Sequence, residues 1–346
     1  MKIVLGTAAL LLLVGLVPDV AGADTVWKKP YPNVKVIQRE VPAGEGLVIK
    51  LHAAIVDLAH PATTVVVSPP RYRGYRTSKF AKEFGAQVAL NGGFWKLVSK
   101  KPIGHVVSAG RPWKDCFMDE RWGYLAFTKQ GRAWIQPPGD NPLPPPEKGW
   151  MVISGMPLIV DQGQVAKVRG CGYVCMEHPR SAAGISEDGW TLILAVSEGR
   201  VEGTKSIRPK KLAEFMIELG AWQAIHLDGG GSSSLYVEAL GGMLNAPAEG
   251  KERSVINHLG VVIDEAAAVV EEPEQEPAPS GAEPDTEKEV VAVQFSEDDF
   301  VPRQQVENPP RVRYAVLGGA AGILVLGVAA VVLVALRRRR GSGSAR

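Results

Sequence analysis

The densest chemistry in this chain lies between Ile225 and Ser234. An apolar run there reaches a carboxylate, Asp228, and opens into Gly229, Gly230, Gly231, Ser232, Ser233 and Ser234. Successive glycines let backbone N–H groups converge on an anion without interference from a Cβ, and serine hydroxyls add donors. A tight Gly/Ser turn whose amides are held by Asp228 accounts for the same run without any ligand. The run contains no lysine and no helix is expected after it, so it is neither a P-loop nor a G-x-G-x-x-G dinucleotide loop. His226 and Asp228 are two apart on an expected strand and share a face, which suits a hydrogen-bonded pair or two ligands.

Three further segments carry polar chemistry at strand ends. In Asn91-Gly92-Gly93-Phe94-Trp95, the amide either binds a ligand or stabilises its own turn, and the two rings either stack on a sugar face or fill core. His178-Pro179-Arg180 and Glu198-Gly199-Arg200 each bring a guanidinium, whose planar fork suits phosphate or a neighbouring carboxylate. Arg253 lies in Glu252-Arg253-Ser254, just before the last apolar run. The six histidines are scattered and none forms H-E-x-x-H, so no metal site and no cofactor is expected.

These groups need a scaffold of short strands. Val34 to Arg39, Gly46 to Val56, Thr63 to Ser68, Gln87 to Leu90, Gly123 to Phe127, Ala133 to Ile135, Thr191 to Val196, Ala224 to Leu227, Ser234 to Val237 and Asn257 to Ile263 all read as strands. Glu187-Asp188-Gly189 reads as a hairpin turn. The clearest helix is Pro209 to Leu219: proline opens it, Leu212, Phe215, Met216 and Leu219 form a stripe, and Gly220 stops it. A second short helix is expected at Lys79 to Phe84. Many strands with few helices predict an α+β fold, a single domain built on mixed or antiparallel sheet, because alternating βαβ units need a crossover helix between most strands. Asp140 to Pro146, rich in proline, reads as an insertion within that domain.

The ends of the chain predict where the domain resides. Residues 1–23 read as a signal peptide: Lys2 precedes an apolar run that closes on Ala21-Gly22-Ala23. The domain is expected at 24–265. Residues 266–313, rich in glutamate and proline, read as a disordered tether. A charge-free run at 314–336 predicts a transmembrane helix, followed by the basic tail 337–346 with Arg337 to Arg340 on the cytoplasmic side. The domain is therefore expected outside the cytoplasm, attached to the membrane by one span. Charge is segregated accordingly: residues 24–263 carry 29 Lys and Arg against 22 Asp and Glu, while residues 264–313 carry 4 against 14. A modestly basic domain favours an anionic ligand; with no basic helix or aromatic RNA motif, nucleic acid is not an expected partner. Protein partners are not indicated. Of the three cysteines, Cys171 and Cys175 suit a small disulfide, and either also suits a longer loop to Cys116.

Taken together, the four segments resemble the phosphodiester glycosidase family from about Val65 to Ile263. The family's H-P-R-T-A-x-G run is similar to His178 to Gly184, with Ser181 in place of threonine. Its D-G-R is similar to Glu198-Gly199-Arg200, and its E-L-G followed by N-L-D-G-G-G-S-S to Glu218 to Ser233, with His226 in place of asparagine. N-G-G-F-F matches Asn91 to Trp95, and the late N-x-P, E-R-x-V and N-x-L-G-V elements match Asn245 to Pro247, Glu252 to Val255 and Asn257 to Val261. The resemblance implies hydrolysis of a sugar-1-phosphodiester, on an envelope or exopolysaccharide-related glycan. Asp228, Glu198 and Arg180 then become the catalytic candidates. Asn91, Gly92, Phe94, His178, Arg200, Gly229, Gly230, Gly231, Ser232, Ser233 and Arg253 become the substrate-binding candidates. A noncatalytic glycan-binding or assembly protein is the alternative, keeping Phe94, Trp95 and the basic surface without acid–base groups.

Overall fold

The computed structural model describes residues 24–139, 142–168 and 172–264. The expected signal peptide, tether, span and tail, together with Cys171, lie outside the described residues. No helix among those described is long and apolar enough to cross a membrane.

Three sheets and two short helices make up the described chain. The largest sheet runs in the order β1 (Asp24–Tyr31), β2 (Val34–Pro42), β3 (Val48–Asp57), β14 (Thr191–Ser197), β13 (Arg180–Ile185), β15 (Gln223–His226), β11 (Leu158–Asp161) and β12 (Gln164–Val165). A second sheet has the order β7 (Arg111–Pro112), β6 (Val106–Ser108), β10 (Met151–Gly155), β8 (Gly123–Phe127) and β9 (Ala133–Gln136). The third runs β17 (Gly242–Met243), β16 (Leu235–Val237), β5 (Val88–Asn91), β18 (His258–Ile263) and β4 (Thr63–Val67). Of the two arrangements the sequence allowed, every ladder between these strands is antiparallel.

The period-two pattern of the central strands explains the layering. On one face of the large sheet, Ala53, Ile193, Ala195, Ala182 and Ala224 pack against helix α2 (Pro209–Glu218) through Leu212, Phe215 and Met216. On the other, Ala54, Val56, Leu192, Leu194, Val196 and Ile225 join the main core shared with the other two sheets. A strand covered on both faces must be apolar at every position, as Leu192 to Val196 is. Of the four stripe residues, Leu212, Phe215 and Met216 are buried and contribute about 1.5–3 kcal/mol each, while Leu219 caps the helix and is only partly buried. Helix α1 (Thr77–Phe84) ends at Gly85, whose φ of 81° closes it in the left-handed conformation. Its Phe80 stacks on the buried His258 ring of β18 at 4.5 Å.

The sequence reading recovered most strands and both helices but not the division into three sheets. Strand β5 pairs with β16 and β18, so Leu90 lies opposite both Leu235 and Leu259. Such pairings across well over a hundred residues leave no local periodicity. Pro142 to Pro146 belong to a loop joining β9 to β10, which lie in the same sheet.

Candidate active site

The site grows from the strand ends that Asn91 ties together. Fully buried at the end of β5, Asn91 accepts hydrogen bonds at Oδ1 from Ser181 Oγ at 2.7 Å and Ser234 N–H at 3.1 Å. Its Nδ2 donates to the carbonyls of Asp228 at 2.7 Å and Gly92 at 3.2 Å. One side chain thereby fixes β13 and both ends of the Gly/Ser turn. Gly92 donates to the Asn257 carbonyl at 2.9 Å and accepts from the Asp228 N–H at 3.1 Å. A Cβ on Gly92 would collide with Asn257. Of the two readings open for Asn91, turn stabilisation is the one these bonds satisfy.

Asp228 leaves β15 half-buried. Its carboxylate accepts the Gly229 N–H at 3.0 Å, and Ser232 and Trp95 side chains also hydrogen-bond to it. Burial pushes its pKa up to about 6, against the opposing pull of Ser232, the Arg253 charge, the Gly229 amide and Trp95. The turn after it is closed on itself: Gly230, at φ +62°, donates to the Pro179 carbonyl at 2.8 Å, and the Ser232 and Ser233 amides donate to Gly229 and Gly230 carbonyls at 3.2 Å. Of the amides expected to converge on an anion, those of Gly229, Gly230, Ser232 and Ser233 are therefore engaged within the turn and with Pro179. Ser232 also meets Arg253 Nη1 at 3.5 Å, and a Cβ on Gly231 would collide with Arg253 and Glu249, so glycine there lets the guanidinium approach. The Ser233 hydroxyl is buried and has no hydrogen-bond partner.

Arg180 is buried behind this turn, not open to solvent as a phosphate ligand would be. Nε donates to the Ile207 carbonyl at 2.9 Å, Nη1 to His226 Nε2 at 3.0 Å and Nη2 to the Met176 carbonyl. Burial and the nearby Arg200 charge lower its pKa to about 10, so it remains a cation. Burial, then the Arg180 charge, drives His226 well below the usual histidine range and keeps its ring neutral. Phe94 packs edge-on to Trp122 at 5.0 Å and near the His226 ring at 5.7 Å.

Glu198, also buried, accepts from the Ala246 N–H at 2.9 Å and pairs with His52 Nε2 at 2.9 Å. Burial raises its pKa, but His52, the Ala246 amide and Lys50 outweigh burial and hold it below the usual carboxylate range. Asn245, next to Ala246, donates to the Ser233 carbonyl at 3.0 Å and accepts from the Leu235 N–H at 2.8 Å. Glu198 is thus connected to the Gly/Ser turn through the 245–246 backbone. Arg200 is exposed, at φ +58°, and its Nη2 meets His178 Nδ1 at 2.8 Å and Tyr173 Oη at 3.3 Å. Arg253 remains partly exposed and pairs with Glu249. No group of three or more His, Cys, Asp or Glu among the described residues is placed to hold a metal ion.

Sequence reasoning missed four partners: the Trp95 hydrogen bond to Asp228, His52 on Glu198, Tyr173 beside Arg200 and Glu249 on Arg253. His52 left one signal, a polar residue in the otherwise apolar centre of β3.

A family model described as Phosphodiester glycosidase matches residues 84–262. N-acetylglucosamine-1-phosphodiester alpha-N-acetylglucosaminidase of Bos taurus is 27% identical over 173 residues, 45% of this chain and 32% of that protein. The SPbeta prophage-derived uncharacterized protein YomE of Bacillus subtilis (strain 168) is 35% identical over 112 residues, 32% of this chain and 16% of that protein. The chain thus matches a third or less of the length of these curated relatives. Among solved structures, the catalytic domain of zebrafish N-acetylglucosamine-1-phosphodiester alpha-N-acetylglucosaminidase, auto-inhibited by its pro-peptide, superposes with a TM-score of 0.54 at 18% identity, covering 70% of this chain and 89% of that one. A hypothetical protein from Synechocystis gives 0.52 at 15% identity, covering 70% and 64%. At these identities the superpositions establish the fold.

Proposed function

We propose, for a chain that belongs to the phosphodiester glycosidase family, hydrolysis of a sugar-1-phosphodiester with Asp228 as the proton-transfer group. The observation that carries this reading is a carboxyl group raised to about 6 at a strand end, with a guanidinium one serine away. A departing phosphate needs little protonation, so the main tasks are to bind its charge and to activate water. Arg253 and Arg200, which keep exposed guanidinium surface, meet the phosphate oxygens. Ionised Asp228 takes a proton from the attacking water as the water oxygen bonds to C1, and the C1–O bond breaks with its electron pair going to phosphate. A base with a pKa near 6 is ionised yet still basic at neutral pH. Glu198 stays ionised and holds the 245–246 backbone against the turn, while Arg180 positions His226 and the Met176 and Ile207 carbonyls.

The chain ends support the setting. The apolar run at 314–336 with four following arginines fits a single span, and residues 1–23 fit export. The substrate is then an envelope or exopolysaccharide-related glycan outside the cytoplasm. Incubating the protein with a panel of sugar-1-phosphodiesters and following free sugar tests the reading. Sugar release that falls at least a hundredfold in Asp228→Asn supports it; glycan binding with no release across the panel overturns it in favour of a binding protein.

A further inference from the structure

The loop after Trp95 reads Lys96-Leu97-Val98-Ser99-Lys100-Lys101 and doubles back on itself. The Lys100 N–H donates to the Lys96 carbonyl at 2.8 Å, and the Lys96 N–H to the Lys101 carbonyl at 2.9 Å. Its tip presents two aliphatic side chains to solvent: Leu97 is 72% exposed and Val98 99%. Phe117 and Met118, 43% and 51% exposed, adjoin it, since Phe117 donates its N–H to the Pro102 carbonyl at 2.8 Å. The Lys96 ammonium lies 4.0 Å from the centre of the Phe117 ring, and that of Lys100 lies 4.4 Å from the centre of the Trp95 ring.

Leu97 and Val98 thus stand exposed at the loop tip and Phe117 and Met118 beside its base, with three exposed lysines, Lys96, Lys100 and Lys101, on the same loop. The nearby carboxylates already have partners: Asp115 is held by both Nη groups of Arg73 at 2.7 and 2.8 Å, and Asp119 by Arg121 at 2.9 and 2.6 Å. Glu120 is exposed beside them. Folding gains nothing from a valine left almost wholly in water, and the long lysine side chains suit a diffuse anionic plane better than a shaped pocket. An apolar tip ringed by ammonium groups matches a bilayer whose surface is anionic: the tip enters the boundary between headgroups and acyl chains, and the lysines meet lipid phosphates.

We propose that the 96–101 loop, with Phe117 and Met118, docks onto an anionic membrane surface. Docking does not depend on the catalytic reading. Because Trp95 joins the base of this loop to Asp228, the same contact brings the carboxyl's side of the domain toward the membrane.

The test is amide hydrogen exchange on the full chain, reconstituted with vesicles of phosphatidylcholine alone or with added phosphatidylglycerol. Peptides spanning 96–103 report docking, and peptides from β13 and β14 report an intact fold. Exchange across 96–103 should slow by about tenfold or more in the anionic vesicles. It should return to the phosphatidylcholine rate in Leu97→Ser/Val98→Ser and in Lys100→Gln/Lys101→Gln. Equal exchange of the unaltered chain in both vesicles overturns the proposal without recourse to any variant. Slowing that persists in the folded lysine variant also overturns it.

Discussion

Asp228→Asn separates a catalytic carboxyl from a turn-holding one because the two roles move stability in opposite directions. Burial lifts the Asp228 pKa from 3.8 to about 6, and two units correspond to about 3 kcal/mol. The sign follows from proton counting. Between about pH 4 and 6 the native state holds a proton that the unfolded chain has released, so stability declines as pH rises through this window. Above it, the folded protein carries the full cost of an ionised carboxylate. Asparagine carries no charge, so at pH 8 the variant regains that 3 kcal/mol, less about 1 kcal/mol for weaker acceptance from Ser232, Trp95 and the Gly229 amide. The net gain of about 2 kcal/mol corresponds to a melting temperature about 4–8 °C higher in a domain of this size. At pH 4 the advantage disappears. Turnover should fall about a hundredfold or more, the scale of lost acid–base assistance. The assay is thermal unfolding at both pH values with kcat on the same preparations. A variant that melts below the unaltered protein at pH 8 would show that Asp228 holds the turn, and one that keeps full activity would remove Asp228 from catalysis.

The remaining expectations concern the groups around that carboxyl. The pH profile of kcat/KM should rise through an ionisation near 6, and Arg253→Gln should move that limb to higher pH, because the Arg253 charge lowers the Asp228 pKa; it should also raise KM for the anionic substrate about tenfold, read by steady-state kinetics across pH. Asn91→Ala removes four hydrogen bonds and strands the buried Ser181 hydroxyl, so denaturant unfolding should show a loss of about 3 kcal/mol or more. Cys116 is a free thiol, and export would allow Cys175 to form the disulfide expected from the sequence, so peptide mapping without reduction should recover Cys175 in a cross-linked peptide and Cys116 alkylated; three alkylated cysteines would contradict this.

What was legible in the sequence was local. Pro209, the Leu212–Phe215–Met216 stripe and Gly220 mark α2 within a residue of its observed end, and Glu187-Asp188-Gly189 marks the hairpin between β13 and β14. Asp228 was visible because a carboxylate between an apolar strand and three glycines is unusual within a short window. Strand β1 escaped because Trp27, Lys28 and Lys29 lie on an exposed edge and show no buried face. The partners of the site were hidden for another reason: His52 meets Glu198 across 146 residues and Arg180 meets His226 across 46, and only strand pairing sets those distances. The burial of Arg180 was likewise invisible: in the sequence its guanidinium suits phosphate or a neighbouring carboxylate, whereas the fold supplies the Ile207 and Met176 carbonyls and the His226 ring.

If the bond broken lies between sugar C1 and oxygen, the destination of the oxygen atom supplied by water reveals it. Hydrolysis of an active sugar-1-phosphodiester in ¹⁸O-enriched water, with mass analysis of the phosphate product, distinguishes the two possible cleavages because phosphate oxygens do not exchange with solvent under mild conditions. Glycosidic cleavage gives a phosphomonoester free of ¹⁸O, the water oxygen having gone to C1. A phosphomonoester carrying one ¹⁸O would mean attack at phosphorus, and would contradict glycosidic cleavage by Asp228.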